Sequence, residues 1–261
     1  MDKLTVYDKA YNSHLILGTS RYPSPAILKS SIAASGANLV TVSLRRQQSN
    51  PDAAQQFIEL IKDTQVDVLP NTAGCETEQE ALTLARMSRE IFQTNFIKLE
   101  IIGDNFTLQP DMEATLACTK KLIKEGFQVL PYCTDDLIMC EKLVDLGCKV
   151  IMPWGAPIGS GKGLNNSYQL SVLRQRLPET TLIVDAGLGK PSHATQAMEL
   201  GYDGVLLNTA IAKAHDPALM AAAFKQSVIA GRLGYTAGTM QTQEFATPST
   251  AILGMPFRAN N

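Results

Sequence analysis

Eight short runs rich in β-branched and aliphatic residues recur along the chain, at 14–17, 39–44, 67–70, 96–102, 128–131, 149–152, 182–185 and Gly204–Leu207. Helical patterns fill the gaps between them, among others at 77–92, 111–124, 135–145, 192–199 and 216–230. Strands that read as nearly continuous apolar runs are strands buried on both faces, and parallel strands need a crossover helix between them. Eight such strands, each followed by a helix, predict an α/β fold of the (β/α)8 TIM barrel type, for which 261 residues is an ordinary length. A doubly wound open sheet is the alternative. It is disfavoured because no G-x-G-x-x-G follows the first strand, where the chain reads "LILGTSRYP".

Local signals agree with this alternation. Thr77-Glu78-Gln79-Glu80 is a capping-box pattern, in which threonine and glutamate satisfy orphan amides at a helix start. In "EGFQV", "LGCKV" and "LGYDG" a glycine stands between a helix and a strand, which suits the left-handed position that ends a helix. Residues 3–6 predict a short extra N-terminal strand that pairs back through Asp8-Lys9. No linker, low-complexity segment or charge run divides the chain, so residues 1–261 read as one domain.

Composition narrows the function classes. A net charge of −2 leaves no electrostatic footprint for nucleic acid or an anionic membrane. No window approaches the roughly 18 uninterrupted apolar residues of a membrane span, and the N-terminus has no signal-peptide pattern. Cys75, Cys118, Cys133, Cys140 and Cys148 never fall in a CxxC pair, and the three histidines form no HxxxH cluster. These spacings argue against a disulfide framework and against a zinc site. A cytoplasmic protein without a metal or cofactor is the expectation.

In such barrels the chemistry sits at the carboxyl ends of the strands. Four strand ends carry polar residues. The fourth strand, "FIKLEIIG", places Lys98 and Glu100 two residues apart and therefore on one face. Either they form an ion pair near a strand end, or Lys98 is a Schiff-base nucleophile. In the second reading burial depresses the amine pKa, Glu100 opposes that shift, and Glu100 moves protons on a bound imine. Asp185 closes the seventh strand in "VDAGLGKPS", where it either bonds loop amides or acts as acid and base; Gly187 and Gly189 let the backbone approach an anion. "LNTAIA", from Leu207, reads as the start of a short helix with free N–H groups. The loops after the seventh and eighth strands are the usual phosphate site of this architecture.

The fourth, "GAPIGSGKG" at 155–163, looks superficially like a Walker A loop. It departs from one because Gly163 follows Lys162 where serine or threonine is required; it reads as a phosphate-contacting loop or as a structural turn. Asp135 and Asp136 read as helix caps, Arg45 and Arg46 as solvated, and His193 and His215 as lacking partners.

"LPNTAG", "IKLEIIGD", "LPYCTDD", "IMPWGAPIGSGKG", "VDAGLG" and "DGVLLNTAI" together, in this order, resemble the bacterial thiazole synthases of thiamin biosynthesis over nearly the whole chain. The resemblance implies condensation of 1-deoxy-D-xylulose 5-phosphate, dehydroglycine and sulfur into the phosphorylated carboxythiazole precursor of thiamin. The sulfur would come from the C-terminal thiocarboxylate of a small ubiquitin-like sulfur-carrier protein. It further implies an imine on Lys98, acid–base roles for Glu100 and Asp185, phosphate contacts at Gly159, Ala186, Gly187, Asn208 and Thr209, and a homo-oligomer, typically a tetramer. Trp154 stands where the family pattern leads one to expect a small residue, and the tail departs after Gly254-Met255-Pro256, so no role carries over to Phe257 or Arg258. A class I aldolase-like Schiff-base enzyme and a non-catalytic phosphosugar-binding barrel are the competing readings.

Overall fold

A computed structural model of the chain describes residues 2–44 and 51–247. Eight parallel strands close into a barrel: β3 (Leu15–Gly18), β4 (Leu39–Ser43), β5 (Asp67–Asn71), β6 (Phe96–Leu99), β9 (Gln128–Cys133), β10 (Val150–Pro153), β11 (Thr181–Asp185) and β12 (Gly204–Leu207), with β12 returning to β3. The helices that carry the chain back are α1 (Pro25–Ser35), α2 (Pro51–Asp63), α3 (Glu78–Phe92), α4 (Met112–Lys124), α5 (Leu137–Asp145), α6 (Ser167–Arg176), α7 (Pro191–Glu199), the single turn α8 (Thr209–Ala212) and α9 (Pro217–Ala237). This is the (β/α)8 barrel that the alternation predicts. Arg45 and Arg46, and the tail with Phe257 and Arg258, lie outside the described residues.

The N-terminal segment is two strands rather than one. β1 (Leu4–Val6) pairs antiparallel with β2 (Lys9–Tyr11) around Tyr7-Asp8. Leu4, Val6 and Tyr11 of this hairpin join Ile16, Leu39, Leu69, Phe96, Leu130, Val150, Met152, Ile183 and Leu206 in one buried cluster. The hairpin therefore plugs the barrel at the end opposite the carboxyl ends of the strands. A side chain of this size, fully buried, contributes about 1.5–3 kcal/mol.

The fourth strand also differs from the expectation over 96–102. Regular pairing stops at Leu99, and Ile102–Asp104 (β7) turns out to pair antiparallel with Gln109–Pro110 (β8). α9 extends to Ala237, past the 216–230 of the sequence pattern, and so carries Gly231 in its interior. That glycine lets two helices touch: a Cβ there would lie 2.5 Å from the Thr195 carbonyl oxygen of α7. The glycines of "EGFQV", "LGCKV" and "LGYDG" do take positive φ, at 81°, 106° and 88° for Gly126, Gly147 and Gly201. Thr77 caps α3 by accepting from the Glu80 amide at 3.3 Å, while the Glu80 carboxylate takes the Glu76 amide, one residue upstream of the reciprocal bond a capping box predicts.

Candidate active site

Strand periodicity positions the site. From the apolar plug, each step of two residues along a strand stays inside the barrel. Leu39 leads to Thr41 and Ser43, Leu69 to Asn71, Phe96 to Lys98 and Glu100, Ile183 to Asp185, and Leu206 to Asn208. All these end positions line one cavity of about 340 Å³ at the barrel mouth. Gly159, Ala186, Gly187 and Thr209 line the same cavity, so the catalytic and phosphate-contacting candidates named from the sequence all border it.

At its floor lies a three-charge cluster. Lys98 Nζ is 2.5 Å from Asp185 Oδ2 and 3.9 Å from Glu100 Oε2. The three residues are 5 %, 2 % and 7 % exposed. Burial disfavours the Lys98 ammonium, but the charges of Asp185 and then Glu100 outweigh it and hold the amine above the ordinary lysine range. Burial also pushes the Asp185 carboxyl up, against the pull of Lys98. The resting lysine is thus an ammonium, and the depressed amine that burial alone would produce is not what this site holds. Its neighbour Asp185 is a carboxylate whose raised pKa suits it to accept a proton.

Backbone pairing explains this precision. Lys98 sits opposite Asn71 of β5 and Leu130 of β9. Thr72, fully buried, accepts from the Glu100 amide and donates to the Glu100 carbonyl, each at 2.8 Å, which pins the segment where strand pairing ends. The Tyr132 ring stands 5.6 Å from Lys98 Nζ and adds a cation–π attraction.

The polar rim is built from three loops tied together by hydrogen bonds. Gly155 N donates to the Asp185 and Ala186 carbonyls, at 3.2 and 3.3 Å, and Gly163 N donates to Gly187 O at 2.8 Å. Ala186 and Gly187 both hold left-handed backbone, with φ of 70° and 78°. A Cβ on Gly187 would lie 2.4 Å from Ala156 N, so no other residue fits that crossing. A Cβ on Gly159 would come within 3.8 Å of Thr209 Oγ1, which brings the loop after β10 against the start of α8. The Asn208 side chain does not cap α8, and its buried Oδ1 has no protein partner.

Several side chains have roles that differ from the sequence reading. Asp136 caps α5 through the Met139 amide at 2.9 Å. Asp135 is not a cap; it accepts from the Trp154 indole N–H at 2.9 Å and so joins two rim loops. His193 has a partner after all, accepting from Gly189 N at 3.1 Å through Nδ1. Thr41, Ser43 and Asn71 line the cavity, and counting twos along the second and third strands would have found them. Lys213 also lines it, beside α8, with no sequence signal to announce it. The five cysteines are free and buried. Among the described residues no group of His, Cys, Asp and Glu could hold a metal ion, and no helix is long and apolar enough to cross a membrane.

The chain is similar to known proteins over nearly its whole length. The family described as thiazole biosynthesis protein ThiG matches residues 5–251. A thiazole synthase of Rhodopseudomonas palustris (strain BisB5) is 57% identical over 251 residues, 96% of each chain. One of Ralstonia nicotianae is 54% identical over 98% of this chain and 94% of its own. Among solved structures, the Amycolatopsis orientalis BexX/CysO complex superposes with a TM-score of 0.83 at 29% identity, covering 94% of this chain and all of that one. With the family matched over almost its entire length and full-length relatives above half identity, the chain belongs to the ThiG family of thiazole biosynthesis proteins.

Proposed function

We propose that this chain is a thiazole synthase that holds 1-deoxy-D-xylulose 5-phosphate as an imine of Lys98 and condenses it with dehydroglycine and with sulfur delivered by a carrier-protein thiocarboxylate. The observation that carries the reading is the buried Lys98 ammonium, 2.5 Å from Asp185 and open to a cavity whose rim is a set of glycine-rich turns. Family membership and the named relatives support the reaction, and the BexX/CysO complex supports a protein partner. The same reading places the protein in the cytoplasm as a homotetramer, which light scattering would test.

Asp185 takes the ammonium proton, and the neutral amine adds to the C2 carbonyl. The carbinolamine loses water to form a protonated imine. That cation withdraws electrons from C3, so a carboxylate removes the C3 proton, and reprotonation moves the carbonyl to C3. The thiocarboxylate sulfur then adds to the new carbonyl; the acyl group shifts from sulfur to the resulting alkoxide, the carrier leaves as its carboxylate, the C4 hydroxyl leaves as water, and dehydroglycine adds, its carbon bonding the sulfur and its nitrogen displacing the Lys98 amine from C2 as the ring closes. Amides at Gly159, Ala186, Gly187 and Thr209, with the Asn208 side chain, hold the phosphate. Lys98, Glu100 and Asp185 are the groups assigned to the proton transfers that these additions and eliminations need.

Borohydride reduction of protein incubated with the sugar phosphate, followed by peptide mapping, should locate the adduct on Lys98. An adduct that persists in Lys98→Ala would move the nucleophile elsewhere. Lys98→Arg should fold and keep the ion pairs but form no adduct, since a guanidinium stays protonated. Turnover of the sugar phosphate without any sulfur carrier would favour an aldolase-type lyase, and tight binding without an adduct would favour a non-catalytic barrel.

A further inference from the structure

A second cavity, of about 590 Å³, adjoins the first beneath the loop that follows β3, and the two share Ser20 and Ser43. Three features of it have no structural use. Arg21 holds left-handed backbone, with φ of 68°, which for a long side chain costs roughly 1–3 kcal/mol unless the position has a purpose. Its guanidinium makes no hydrogen bond or ion pair among the described residues, although Arg21 lines the cavity. Ser43, 5 % exposed, lines both cavities and its buried Oγ has no partner. The Tyr22 hydroxyl is likewise buried and without a partner. Arg21 is exposed at the cavity wall, and its guanidinium, without a partner among the described residues, offers paired N–H donors that match the two oxygens of a carboxylate. The remaining wall includes Leu28 and Phe57, so the far side is apolar.

We propose that this second cavity is a carboxylate subsite that takes a small planar 2-imino acid, binding its carboxylate through Arg21 and delivering its imine carbon past Ser43 to the Lys98 adduct. The assignment rests on the thiazole-synthase reading for the identity of the ligand. Geometry separates the two substrates: the phosphate loops after β10, β11 and β12 belong to the first cavity, whereas Arg21 lines the second. Ser43, shared by both cavities, stands where the two ligands would meet.

Arg21→Gly tests this sharply, because glycine relieves the backbone strain while removing the guanidinium. The variant should keep or raise its Tm and form the borohydride-trapped Lys98 adduct at the wild-type level. With glyoxylate and excess ammonium supplying the imino acid, its half-saturating glyoxylate concentration should rise at least about tenfold, a loss of about 1.4 kcal/mol. Arg21→Lys should recover part of that loss, and Gln56→Trp, which fills the cavity from an exposed position, should reproduce it. Oxamate, a planar and unreactive analogue, gives a readout independent of turnover: calorimetric titration should show at least about tenfold weaker binding to Arg21→Gly than to the unaltered protein. Equal oxamate binding by the two, or an unchanged glyoxylate requirement, overturns the subsite. Absence of a Lys98 adduct in the unaltered protein would instead overturn the thiazole-synthase reading, while the oxamate comparison would still decide the carboxylate site.

Discussion

Replacing Asp185 by asparagine preserves the side-chain shape and removes one of the two charges that hold the proton on Lys98. At an effective dielectric of about 20, opposite charges at the observed 2.5 and 3.9 Å attract by about 7 and about 4 kcal/mol for Asp185 and Glu100 respectively. These are gross attractions, opposed by desolvation of the ammonium, so their order decides the outcome: Asp185 holds the proton more firmly than Glu100. The nucleophile is the neutral amine, and the carboxylates raise the Lys98 pKa. Adduct formation therefore fades as the pH falls below that raised value. Without Asp185 burial meets less opposition, the pKa drops, and the acid limb moves to lower pH. Glu100→Gln should move it the same way by less. Because Asp185 also receives the ammonium proton, the plateau rate of Asp185→Asn should fall by about 10²–10⁴-fold, a change in height separable from the shift in position. The assay is the initial rate of borohydride-trapped adduct across the neutral and alkaline range. A limb that stays in place in Asp185→Asn, or moves further in Glu100→Gln, would refute the assignment of Asp185 as the principal partner.

Two further perturbations probe the rim. Gly187→Ala forces a Cβ to within 2.4 Å of Ala156 N at a φ of 78°, so the loop must shift at a cost of about 1–3 kcal/mol. KM for the sugar phosphate should rise at least about tenfold, and an unchanged KM would remove this turn from the phosphate site. His193 joins the rim as a hydrogen-bond acceptor, which requires a neutral ring; burial and then the Lys190 charge lower its pKa below the ordinary histidine value. The contact is therefore complete above the unperturbed pKa of about 6.5 and disappears as the pH falls through the lower folded value. Hydrogen exchange at the Gly189 amide should accelerate over that acid range, and His193→Ala should exchange fast at every pH; protection of this amide in the variant would show that the ring does not hold the loop.

Much of the architecture was legible because it repeats. Apolar runs at regular spacing, glycines at helix ends and the caps at Thr77 and Asp136 each report a local conformational preference, and these preferences agree with one another. The misreadings have physical causes. The run at 96–102 has no glycine, proline or turn residue in it, so nothing in it shows that β6 yields to the β7–β8 hairpin after Leu99. The helix expected over 216–230 continues to Ala237, and the contact that Gly231 permits there is with α7, distant in sequence. His193 reads as lacking a partner and Asp135 as a helix cap because their actual partners, Gly189 and Trp154, lie on loops whose mutual position depends on barrel closure.

Alternation within a strand is a covalent property of extended backbone, so the chain alone dictates that Lys98 and Glu100 share a face. It cannot dictate distances across the barrel. Whether Lys98 meets Glu100, its neighbour in sequence, or Asp185, from the far half of the chain, depends on how the strands stagger as the sheet closes on itself. Closure brings Asp185 nearer, and that choice gives a lysine whose charge burial disfavours a carboxylate in contact, which holds it as an ammonium beside its proton acceptor.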